Sequence, residues 1–249
     1  YYELEYFDAT IDILNEKSFD YEIITDNPFL NIKPKLYEGK DDILIPTKIN
    51  INNSNVKAWF GNVFKFKESK IYAILCFKNS ELVSSIENYI NLQILTYYIN
   101  KKITEKFNLA YELGFYANIS FNNDDSIVLI KIMGHNDKYK EYFNMVVDYI
   151  KNFKFENQDE ILVRTIIDSI HDGIINIQKK NPWEYNSYLQ DLNVNPKYYT
   201  IDEQIKVIDS IIVNDFKLEI SKLKNIIFNE SKFIPFFYGN VYSDYLFED

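Results

Sequence analysis

Two histidines, His135 and His171, and one cysteine, Cys76, are the residues of this 249-residue chain best suited to metal binding or nucleophilic catalysis. Metal-assisted hydrolysis from a helix needs two histidines one turn apart, with a carboxylate beside them to activate water. Neither histidine has such a neighbour. His135 lies in Met133-Gly134-His135-Asn136-Asp137, at a strand-to-helix turn, and His171 lies in Ile170-His171-Asp172-Gly173, inside a helix. Both read as structural or surface residues. Cys76 falls within an apolar strand and reads as a buried structural thiol rather than a nucleophile. Being alone, it forms neither an intrachain disulfide nor a cysteine metal cluster. There is no G-x-S-x-G nucleophile elbow, and Gly114, Gly134 and Gly173 are isolated, so no glycine-rich phosphate loop exists. Asp41-Asp42 and Asp124-Asp125 occur in turn sequences and read as solvated turns rather than acid/base pairs. Glu112, between a helix and Gly114, is the one candidate for a buried carboxylate with a role. No catalytic or metal-binding residue is assigned, and no enzymatic activity is expected from this chain alone.

The elements that would position these groups are legible from periodicity. Residues 59–66 and 71–77 read as strands. In the first, Trp59 shares a face with Val63, while Phe60, Phe64 and Phe66 share the other. The second is almost continuously apolar, which predicts a central strand. Residues 80–107 read as one long helix capped by Asn79 or Ser80. Ile86, Tyr89, Ile90, Ile94 and Tyr97 form its apolar face, and Asn88, Asn91 and Lys101-Lys102 point to water. Residues 115–121 and 127–133 alternate and are joined by the turn Asn122-Asn123-Asp124-Asp125. Two hairpins bracketing a long helix predict an antiparallel sheet covered by helices, an α+β fold.

Further helices are predicted at 138–152 and 156–180. The first is capped by Asn136 or Asp137 and has an apolar stripe of Tyr142, Met145, Val146, Tyr149 and Ile150. The second carries Ile161, Leu162, Ile166, Ile170, Ile174 and Ile177. Another helix begins at Asn181-Pro182, and Thr200-Ile201-Asp202-Glu203 is a capping box for the next. A last helix starts at Val213, and 225–228 with 233–238 read as a closing hairpin or strand. Upstream, residues 1–10 read as an extended strand and 10–16 as a short helical turn. From 25 to 56, Pro28, Pro34 and Pro46, the turn Gly39-Lys40-Asp41-Asp42 and an asparagine-rich tail predict an extended linker between two domains. The domain proper then spans 57–249.

Charge and composition exclude several partners. The net charge is −10, Arg164 is the only arginine, and no basic run exceeds two residues, so nucleic acid is not the expected partner. No stretch is long and apolar enough to predict a membrane span, and no signal peptide is evident. Together with the single cysteine this predicts a cytoplasmic protein. The chain opens on Tyr1-Tyr2 and closes on Leu246-Phe247-Glu248-Asp249, and is expected to be part of something longer.

Several segments, taken in order, resemble one known family. They are Lys57-Ala58-Trp59-Phe60, Ile71-Tyr72-Ala73-Ile74-Leu75-Cys76-Phe77, Ala110-Tyr111-Glu112-Leu113-Gly114 and Gly134-His135-Asn136-Asp137-Lys138. Together with Phe237-Tyr238-Gly239-Asn240-Val241 they are similar to the insulinase/pitrilysin family of zinc metallopeptidases, at the first domain of the C-terminal half. His135 stands at the family's aromatic position and Tyr238 at its histidine. Asn27-Pro28-Phe29-Leu30 resembles the start of the linker between the halves, with Asn31 in place of a proline, and residues 1–24 resemble the closing strand of the preceding domain. The resemblance implies a processing-peptidase-like α+β fold and a non-catalytic domain. Such a domain would help to wall a peptide-degrading chamber and form the hinge between halves. Zinc would be held by an upstream domain, the partners being the remaining domains and the enclosed peptide. The helix in the zinc helix's place, 80–107, has no histidine; it carries Tyr97, Tyr98 and Asn100. No substrate-binding residue is carried over. Two other readings stay open: a scaffold subunit of the same fold without peptidase activity, and an unrelated α+β interaction domain.

Overall fold

The computed structural model describes residues 27–30, 32–39, 42–51, 57–156, 159–211 and 213–247. The strand expected at 1–10, the turn at 10–16, and Asn31 and Asp41 lie outside these residues. The strands are β1 (Thr47–Asn50), β2 (Lys57–Asn62), β3 (Lys70–Lys78), β4 (Tyr116–Asn122), β5 (Ile127–His135) and β6 (Lys232–Gly239). The α-helices are α1 (Ile86–Lys106), α2 (Asn108–Tyr111), α3 (Tyr139–Asn152), α4 (Glu160–Ile175), α5 (Pro182–Val194), α6 (Ile201–Asp209), α7 (Val213–Asn225) and α8 (Ser243–Phe247).

The α+β class holds, but the sheet is mixed. Its order is β1-β2-β6-β3-β5-β4. β2 and β3 do not form the expected first hairpin, because β6 lies between them, antiparallel to β3 and parallel to β2. The parallel pairing begins at Trp59↔Phe236, one residue past Pro235, which has no N–H to give. β3 is central as its apolar sequence predicts, with β5 on its other side. The β4–β5 hairpin forms as expected. Residues 225–228 are not a strand; a π-helical turn (Ile226–Glu230) ends α7 there.

Alternation along β3 sends Ile71, Ala73, Leu75 and Phe77 to one face, where they are buried with Val128, Ile130 and Ile132 of β5. The helices pack on this face. α1 lies between the sheet and α4, α6 and α7, so it is buried on more sides than one apolar stripe predicts. Asn91, expected in water, is buried, while Tyr97, expected inside, is exposed. The predicted helix 80–107 is broken at its start. Asn79 caps a 3₁₀ turn (Ser80–Val83), and Ser85 then caps α1 afresh by accepting the Asn88 N–H at 3.2 Å.

Other expectations shift for local reasons. β2 ends at Asn62, so alternation fails beyond it: Val63 and Phe64 are both buried, and Phe66 turns out to solvent. The helix expected at 156–180 is α4 followed by a 3₁₀ turn (Asn176–Lys179). Its buried stripe is Val163, Ile166, Ile170 and Ile174, and Ile161 is 78% exposed. α3 has no side-chain cap and starts from Lys138 at φ 66°; Asn136 and Asp137, expected as caps, bond elsewhere. Met145 of the predicted α3 stripe is exposed. The Thr200 capping box forms as read, with Thr200 N–H donating to Glu203 at 2.8 Å. The stretch expected to lack regular structure contains β1, which pairs antiparallel with β2.

Candidate functional site

The groups singled out for chemistry are dispersed. His135 ends β5, with its Nδ1 2.8 Å from Ser69 Oγ. Burial and Lys70 hold its pKa below the ordinary imidazole value, against the opposing pull of Glu68. His171 is on α4, 3.8 Å from Asp172 and 3.7 Å from Asp209 of α6. Cys76 is half-buried rather than buried, and burial raises its thiol pKa more than Lys78 lowers it. That is the opposite of what an activated nucleophile needs. Glu112 is exposed at the end of α2, so it is not a buried carboxylate. Asp124 is pinned in its turn by Asn195 (2.5 Å) and, through its carbonyl, by Lys197 (2.5 Å). Asp42 accepts the Phe64 N–H at 2.7 Å. Among the described residues, no three His, Cys, Asp or Glu side chains gather so as to hold a metal.

α1 carries no histidine, and its Tyr98 and Lys102 face a single carboxylate. Tyr98 donates to Asp159 at 2.7 Å, and the same carboxylate takes Lys102 Nζ at 2.6 Å. The Asp159 carboxylate is therefore already paired with an ammonium, and a dication would compete with Lys102 for it.

What the residues do build is an apolar face. Trp59, Ile74, Cys76, Ile234 and Phe236 lie on the side of the sheet opposite the helices and line a trough of about 560 Å³ with Ile45 and Pro46. The rings of Phe236 and Tyr238 stack there at 6.2 Å, and Tyr72 and Trp59 are exposed. No helix among the described residues covers this face.

Sequence reasoning read Asn136 as a helix cap, Asn62 as part of a strand and Asn240 as the end of one, and missed their role. Asn62 accepts the Ile43 N–H at 2.8 Å. Asn136 and Asn240 engage the backbone of Lys35 and Tyr37. The available signal was repetition: Gly61-Asn62 and Gly239-Asn240 end neighbouring strands, and Gly134 precedes Asn136 by two.

A family model described as the middle or third domain of peptidase M16 matches residues 5–207. Among solved structures, pitrilysin superposes on 86% of this chain and 22% of its own, with a TM-score of 0.70 at 16% identity. The periplasmic protease PqqL from Escherichia coli superposes on 71% of this chain and 20% of its own, with a TM-score of 0.53 at 9% identity. A conserved protein from Enterococcus faecalis V583 superposes on 81% and 50%, with a TM-score of 0.53 at 13% identity. The chain thus spans from a fifth to a half of the length of these proteins, and at such identities the likeness is one of fold. No curated protein sequence matches the chain.

Proposed function

This chain belongs to the peptidase M16 family, and on that premise we propose that it is a non-catalytic middle domain of a zinc-dependent insulinase-type endopeptidase. In that enzyme it forms part of the wall of the chamber in which peptides are degraded. The observation that carries the reading is the one-sided packing of the sheet. Helices cover the face of Leu75 and Phe77, while Trp59, Ile74, Ile234 and Phe236 line an uncovered apolar trough. Contiguous apolar surface of this kind marks a contact site, and a multidomain chamber supplies both neighbouring domains and peptide to meet it. Zinc belongs in this reading to an upstream domain, because the helix α1 carries no histidine. Residues 1–24 close the preceding domain, 25–56 connect it to this one, and 57–249 form the domain itself. No helix among the described residues is long and apolar enough to cross a membrane, and the single cysteine favours the cytoplasm.

The test is peptide hydrolysis by a longer protein that includes the upstream half, assayed beside this chain alone. The longer protein is expected to cleave short peptides, lose activity to a chelator and regain it with zinc, while this chain alone cleaves nothing. Stoichiometric zinc on this chain together with chelator-sensitive hydrolysis overturns the reading.

A further inference from the structure

Residues 33–37 and Ile43 lie against the ends of β5, β6 and β2, where side chains of the domain hold their backbone. Asp137 accepts the Lys33 N–H at 2.6 Å. Asn136 Oδ1 accepts the Lys35 N–H at 3.1 Å, and its Nδ2 donates to the Lys35 carbonyl at 2.5 Å. Asn240 repeats this two residues on, accepting the Tyr37 N–H at 2.8 Å and donating to the Tyr37 carbonyl at 3.1 Å. One donor and one acceptor offered to alternate residues is how a neighbouring strand engages an extended chain. Here two carboxamides stand in for that strand. They contact only backbone, so they select an extended conformation and not a side-chain sequence.

The two carboxamides are also positioned by contacts with the domain. Asn240 donates its N–H to the Lys70 carbonyl at 3.1 Å, and Asn136 donates its N–H to that of Ser69 at 2.8 Å. Asn136 Nδ2 also reaches the Asn240 carbonyl at 3.2 Å, and Tyr245 OH donates to the Asn136 carbonyl at 2.6 Å. Gly239 brings β6 close enough: at φ +146°, a Cβ there would lie 2.2 Å from the Lys70 oxygen. Asn136 and Asn240 are 2% and 1% exposed with residues 33–37 in place, so their amides are satisfied by that backbone rather than by water.

We propose that Asn136 and Asn240 form a latch for extended polypeptide, filled here by the chain's own residues 33–37. With Phe29 seated against Phe115 at 5.0 Å and Tyr142 at 5.6 Å, the latch makes the described part of the connection move with this domain. That assignment rests on reading 25–56 as an interdomain connection.

Residue-resolved amide exchange on the whole chain tests the latch. Lys35 and Tyr37 are expected to exchange far more slowly than in a free peptide. Asn136→Ala and Asn240→Ala remove the acceptor together with the donor, and each is expected to speed exchange at its own partner by about tenfold. Protection at Ile74 and Ile130 in β3 and β5 stays as it was. Tryptic cleavage after Lys35 accelerates in parallel. Free-peptide exchange rates in the unmodified chain overturn the proposal, as do variants that leave the two amides as protected as before. Should the variants lose protection across the sheet as well, the unmodified chain's exchange and its resistance to trypsin at Lys35 decide alone. Neither readout involves zinc or a peptide substrate, so failure here is separable from failure of the peptidase reading.

Discussion

The carboxamide of Asn100, on α1, makes both hydrogen bonds of a β-bridge with Ile119 of β4. Its Nδ2 donates to the Ile119 carbonyl at 2.7 Å, and its Oδ1 accepts the Ile119 N–H at 2.8 Å. Two residues earlier, the Ala117 carbonyl takes the Tyr111 hydroxyl at 2.7 Å. β4 is the outer strand on its side of the described sheet. Residues two apart in a strand direct their backbone groups to the same side, so these bonds fill the edge that a further strand would use.

Asn100→Ala therefore exposes a strand edge and unpairs a peptide group. Stability is expected to fall by about 1–3 kcal/mol in chemical denaturation. Sedimentation should also reveal concentration-dependent association absent from the parent chain. A variant that stays monomeric and equally stable contradicts the role given to Asn100.

Asp159 fastens the start of α4 to α1 through Tyr98 and Lys102, and also accepts the Glu156 N–H of its own lead-in at 3.0 Å. Burial acts to raise its carboxyl pKa, but the hydrogen bonds from Lys102, Tyr98 and the Glu156 backbone outweigh burial and leave it lowered. A lowered folded value means that the contribution is complete above the unfolded carboxyl pKa of about 4 and is lost as pH falls through the folded one. The Lys102 ammonium is held above its ordinary value, chiefly by its bond to Asp159, so its share persists below about pH 10 and fades as pH rises further. Asp159→Ala strips all three partners and is expected to cost about 3–5 kcal/mol. Denaturation midpoints of parent and variant should converge at low pH, and parallel pH profiles would count against this account.

His135 carries a second pH dependence. Its folded pKa is lowered by burial and by Lys70, with Glu68 opposing. The unfolded chain then binds the proton better, so stability is complete above the free-histidine value of about 6.5 and declines as pH falls through the folded value. NMR titration is expected to place the His135 midpoint below that of an unstructured histidine; a midpoint at or above it refutes the neutral, Ser69-bonded imidazole.

Two glycines should respond oppositely to alanine. At Gly239 a Cβ would collide with the backbone of Lys70 and Ile71 at a φ of +146°, whereas at Gly173, inside α4, nothing lies within 4 Å. Gly239→Ala is expected to abolish folding or lower the melting temperature sharply. Gly173→Ala removes a helix weak point and should stabilise by about 0.5–1 kcal/mol. Thermal melts of the two variants decide both.

Alternation and helical period made the individual elements readable, since β3, the β4–β5 hairpin, α5 and the α6 capping box depend on local residues. The order of the strands was not readable. Nothing in 59–66 or 71–77 shows that a strand from 232–239 will separate them, because pairing across that distance is decided by tertiary packing. The same limit hid the asparagines. Asn136 next to a helix is equally suited to capping it, and only the fold brings Lys35 within reach. Lys102 read as a solvent-facing position, but Asp159 at the start of α4 pairs with it, and nothing near Asn100 in the sequence pointed to the β4 edge. The reading of the two histidines rested on their spacing; the structure puts His135 at the end of β5 and His171 on α4.

The insertion of β6 between β2 and β3 carries a cost in assembly. Trp59 pairs with Phe236, and Ile74 also pairs with Phe236, so each ladder at the middle of the sheet closes a loop of well over a hundred residues. Such closures are entropically late and slow. During synthesis, β2 and β3 must wait, unpaired with each other, until the last strand has left the ribosome. The span that matches the family model ends at residue 207, before that strand begins. A polypeptide trimmed to the span would contain both halves of a sheet and lack the strand that joins them.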